Sequence, residues 1–71
     1  MPPPDRKDIA KAFARVFAHG DADLVLGYLR GQTLDQTRGP NTTNDELRHL
    51  EGQRFLFKTM LNLIEEGRRN A

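Results

Sequence analysis

The side chains best equipped for chemistry are two histidines, ten carboxylates and eleven lysines and arginines. Their spacing decides what each can do. His19 and His49 lie far apart, without the H-x-x-x-H or H-E-x-x-H spacing that sets two imidazoles on one helix face for zinc. The chain has no cysteine, which removes thiolate ligation, disulfides and cysteine nucleophiles together, and it has no serine. Carboxylates could move protons, but a general acid or base works from a recess that tunes its protonation. Those here fall at helix ends or beside cations, and no glycine-rich phosphate loop is present. No catalytic residue, cofactor or metal ion is expected.

What remains is ionic and apolar recognition. Lys7, Lys11, Arg15 and His19 recur at every fourth position, which makes a ridge along one side of a helix. A row of cations can track a polyanion by displacing its counterions. It can equally be an ordinary solvated face, here partly neutralised by Asp5 and Asp8. Lys7, Lys11 and Arg15, with Arg68 and Arg69 near the C-terminus, are the candidate polyanion contact.

Helices must position these groups. Pro2, Pro3 and Pro4 hold an extended start, after which Asp5 or Asp8 can open a helix. Ile9, Phe13, Val16 and Phe17 follow at i, i+4, i+7 and i+8, one helical face, with Gly20 as the expected stop. A second helix places Ala22, Val25, Leu26 and Leu29 together, and Gly31 is expected to end it in the left-handed conformation. Gly31 to Asn41 is polar and contains the breaker Gly39-Pro40. Thr43 and Glu46 have capping-box spacing directly before an apolar periodic stretch, and Gly67 is expected to close that third helix.

The architecture expected is all-α: two short helices, about 5–19 and 22–30, packed on one long helix, about 44–66. A proline-rich arm (1–4) and a basic tail (68–71) flank a single domain (5–67) with a loop over 31–43. With 71 residues and 37% hydrophobic composition, such a chain buries only about 60% of its unfolded surface. A partner is therefore expected to contribute to its stability. The net charge is +1, so bulk electrostatics selects no ligand. Its apolar runs, such as Leu24-Val25-Leu26, are far shorter than the ~20 residues of a membrane helix. The start lacks the apolar core of a signal peptide, and a soluble protein made inside a cell is expected.

The long helix carries an apolar arc through Leu47, Leu50, Phe57, Leu61 and Ile64, continuing through Met60, Leu56 and Leu63. At about 200° it is twice the width of a single buried stripe. Either the short helices straddle it, or Leu56, Met60 and Leu63 face another subunit or protein. Phe55 lies opposite, among Arg48, Asn62 and Glu66, and joins them as a candidate interface residue. Gly52, inside the helix, is expected to allow close approach of a neighbouring helix. Glu51 and Arg54 beside it can pair on the surface or fix helix docking.

Arg15-Val16-Phe17, Gly20, Val25-Leu26 and Leu29, followed after a polar loop by Glu51-Gly52-Gln53-Arg54 and an apolar helix, resemble a family of very short tailed-phage proteins. The resemblance spans roughly residues 12 to 65. These proteins are encoded in the head and tail morphogenesis clusters of podovirus-type phages, and the likeness implies a structural or assembly component of the virion. On that reading the long helix presents Phe55, Leu56, Met60 and Leu63 to like subunits or to a larger virion protein. The cations would face acidic protein or packaged DNA. Portal vertex, head interior and tail junction are all open to it.

Two rival classes remain. One is a small accessory protein that binds a host or phage protein. The other is a helix-turn-helix DNA-binding regulator, although its second helix offers Asp21, Asp23, Tyr28 and Arg30, a poor set for base edges.

Overall fold

The computed structural model describes residues 3–35 and 39–70. The all-α, three-helix architecture read from the sequence is the one observed: α1 spans Arg6–Val16, α2 Ala22–Gln32 and α3 Asn44–Arg69. Positions 1–2 of the proline-rich arm, 36–38 of the expected loop and 71 of the expected tail lie outside the described residues.

Each boundary has a local cause. Asp5 occupies the N-cap of α1 with extended backbone, and its carbonyl accepts from the Ile9 amide at 3.0 Å. Thr43 caps α3 by accepting from the Glu46 amide at 3.1 Å, the first half of the capping box. Asp45 and Glu46 in that first turn also suit the positive end of the helix.

The glycines expected to stop helices do not do so. α1 ends at Val16, before Gly20, because the Ala18 amide turns back onto the Arg15 carbonyl at 3.3 Å and tightens the last turn. α2 continues through Gly31 to Gln32, and no described glycine has positive φ. A left-handed cap is not needed there. The Thr33 hydroxyl donates to the Leu29 carbonyl at 2.7 Å, and the Arg54 guanidinium donates from Nε to the Thr33 carbonyl at 3.2 Å. α3 likewise runs through Gly67 to Arg69 and is capped by Asn70, whose amide and side-chain nitrogen both donate to the Glu66 carbonyl. Arg68 and Arg69 therefore form the last helical turn and not a separate tail.

At 26 residues, α3 is a strut about 39 Å long in a molecule of 45 × 31 × 19 Å. α1 packs on its C-terminal part. The core holds Ala10, Leu50, Phe57, Leu63 and Ile64. The close approach expected at Gly52 occurs instead at Gly67. A Cβ on Gly67 would press on the Ala10 carbonyl and come within 2.6 Å of the Ala14 Cβ, whereas at Gly52 no described residue comes within 4 Å. Arg6 and Glu66 join the same two helices by an ion pair of 3.0 Å. α2 is held differently. It buries none of its residues, and its C-terminal end is tied to α3 by the Arg54 hydrogen bond and by the Arg30 guanidinium, 5.9 Å from the centre of the Phe57 ring.

Candidate interaction surfaces

The four residues assigned to a protein interface separate into two groups. Phe55 is 75% exposed and Leu56 62% exposed, adjacent on α3. Met60 is half-buried. Leu63, at 8%, belongs to the internal core and is not available to a partner. Its place on the arc is filled from within, because Leu63 and Ile64 continue the face that carries Phe57 under α1.

Leu56, Met60 and Leu29 line a cleft of about 490 Å³ between the end of α2 and the middle of α3, floored by Phe57. Its polar wall is His49, Gln53 and Gln32. The side-chain nitrogen of Gln53 and the His49 ring nitrogen Nε2 are hydrogen-bonded at 3.1 Å. Among the described residues, no group of three or more His, Asp or Glu side chains is arranged to hold a metal ion.

The helix-docking residues divide as well. Arg54 docks α2 through the Thr33 carbonyl, while Glu51 and Gly52 are exposed. Arg54 thus works across helices, which its spacing from Glu51 could not reveal.

The structure gathers part of the expected cationic set. Lys11, Arg15 and Arg68 line one groove of about 470 Å³ between α1 and the end of α3, over a floor of Ala14, Ala18 and Gly67. Lys7 and Arg69 are exposed outside that lining. Arg15 and Arg68 stand in the last turns of their helices, so each also complements a negative helix end. If the surplus charge holds a polyanion, the chain will bind heparin with an affinity that falls as salt rises, and Arg15→Glu with Arg68→Glu will cut retention at least tenfold. Retention unchanged by the double reversal would show that these cations serve only their helices.

The sequence reading overlooked the outer side of α2. Leu24 is 73% exposed and Tyr28 67% exposed, outside the face read as apolar from Ala22, Val25, Leu26 and Leu29, of which Val25 is itself exposed. Val16 and Val25 are also exposed, and both line a shallow recess at the α1–α2 joint. The available signal was the i, i+4 spacing of Leu24 and Tyr28.

These features define a small all-α protein, a long helical strut carrying two short helices, with more large apolar side chains on its surface than inside. The chain matches the Bbp19-like phage protein family over residues 13–71 and belongs to it. No curated protein and no solved structure matches it. No helix among the described residues is long and apolar enough to cross a membrane.

Proposed function

We propose that this phage protein is a non-catalytic component of the virion that packs through its long helix into a larger assembly. The portal vertex, the head interior and the tail junction are the places open to it, within a podovirus-type particle. The observation that carries the reading is the exposed pair Phe55 and Leu56. Exposed apolar patches rimmed by polar residues mark association surfaces, and Leu56 lines a cleft floored by Phe57 and walled by His49, Gln53 and Gln32. The partner on this face is a larger virion protein or a like subunit. The cationic groove supports a subsidiary contact with packaged DNA. The regulator reading is disfavoured because the outer face of α2 offers Leu24 and Tyr28, not the polar set that reads a groove.

The test is particle composition. Phage particles purified by density gradient should contain the chain in fixed ratio to the major head protein. Phe55→Asp with Leu56→Asp should lower its incorporation at least tenfold while leaving the circular dichroism of the isolated chain unchanged. Recovery of the native chain only in the soluble fraction of infected cells would overturn the proposal and favour an accessory protein.

A further inference from the structure

The middle of α3 combines a knob with a gap. Gly52, Phe55 and Thr59 follow one another at intervals of three and four residues, so they share one side of the helix. Gly52 and Phe55 are exposed, and the Thr59 hydroxyl is turned back onto the Phe55 carbonyl at 3.0 Å. Glycine disfavours a helix interior, and the room it leaves at Gly52 is not taken up within the chain, where no described residue comes within 4 Å of a Cβ built on it. The two flanks of this side differ. Glu51 and Lys58, seven residues apart and both exposed, lie along one; Leu56, also exposed and four residues from Gly52, lies along the other.

We infer that this side of α3 pairs with the same side of α3 in a second copy of the chain, antiparallel about a two-fold axis. The register follows from side-chain size. With the axis level with the peptide between Gln53 and Arg54, each Phe55 ring lies on the bare backbone of the other copy's Gly52. Knob and gap sit on one patch of one chain, three residues apart, and an isologous contact requires such self-complementarity.

Charge selects the same arrangement. In an antiparallel pair about this axis like flanks face each other, so Glu51 of each copy comes within about two residues, or ~3 Å along the helix, of the level of the other copy's Lys58. Both ion pairs form at once, and the helix dipoles oppose. A parallel pairing brings unlike flanks together and lays Glu51 and Lys58 against Leu56. Covering Phe55, Gly52 and the inner sides of Leu56, Glu51 and Lys58 removes on the order of 400 Å² per copy, about half of a standard interface, so the dimer is a weak one. The pairing rests on the reading of Phe55 and Leu56 as an association surface and deepens it by naming the partner on the Phe55 side as a second copy.

Sedimentation of the full chain between about 10 µM and 1 mM should show a monomer passing to a dimer. Gly52→Leu separates a fitted surface from a merely sticky one. It adds apolar area and helix propensity, so thermal stability of the dilute chain should rise, yet it fills the seat of the Phe55 ring and should weaken the dimer at least tenfold. Glu51→Lys or Lys58→Glu alone should weaken the dimer about threefold, and the two together should restore it. A monomer throughout the range, dimerisation of Gly52→Leu as tight as that of the native chain, or a double reversal weaker than either single one would each overturn the pairing. Its failure is distinguishable from failure of the virion reading: a chain monomeric to about 1 mM yet present in particles at fixed ratio overturns the pairing alone, and a dimer with this register that is absent from particles upholds the pairing and overturns the virion reading.

Discussion

Phe57→Ala is expected to remove about 3–5 kcal/mol of stability, the usual cost of truncating a buried aromatic ring. A domain of this size has about 4–10 kcal/mol in all, so much of the population would unfold at room temperature. Two effects combine at this position. The ring is buried among the core residues of α3, and its removal leaves a void between packed helices. It also lies 5.9 Å from the Arg30 guanidinium, a contact worth about 0.5–1 kcal/mol at an exposed site and one of the ties that hold α2. Urea unfolding should show the lower midpoint. Hydrogen exchange should show α2 opening before α1. A loss below about 1 kcal/mol would mean that the site collapses readily around the smaller side chain.

The second large effect is a difference of sign between two alanine substitutions in the same helix. Gly67→Ala should destabilise by about 1–3 kcal/mol, as overpacking does, even though alanine favours the helix by about 1 kcal/mol. The added methyl would meet the Ala10 carbonyl group, its carbon at 2.7 Å, and the Ala14 Cβ at 2.6 Å. These atoms belong to backbone and to the shortest of side chains, and neither can rotate aside. Gly52→Ala meets no described atom within 4 Å and should stabilise by up to about 1 kcal/mol. Paired thermal melts are sufficient to compare them. Equal shifts in both variants would show that α1 does not rest on the Gly67 backbone.

That contrast shows where the sequence was legible and where it was not. Periodicity and capping chemistry are local, so the three helices and the Thr43 cap could be read directly from residue types a few positions apart. The role of a glycine depends on what lies across from it in space. Gly52 and Gly67 both lie within α3, and the crossing point of α1 gives them different surroundings. A faint signal existed: Gly67 continues the face of Phe57 and Ile64, and α1 presents Ala10 and Ala14 one turn apart. Leu63 was misplaced for the same reason, since an apolar arc records which side chains avoid water but not whether α1 or another protein shields them. Arg54 acts on the carbonyl of Thr33, a contact across the loop that helix spacing has no means to express. Phe55 was legible as exposed because it lies on the polar side of α3, and Leu56 because it lies on an apolar arc wider than a single buried stripe.

The separate anchoring of the two short helices has a consequence for cooperativity. α1 rests on the Gly67 end of α3 through backbone-level contact, and α2 is tied at Arg54 and Phe57. Neither short helix is the main support of the other. Opening of one therefore reaches the other only along the strut between them, and the chain has two local unfolding units that share a single spine. A partner that orders the middle of α3 would protect α2 strongly and α1 weakly.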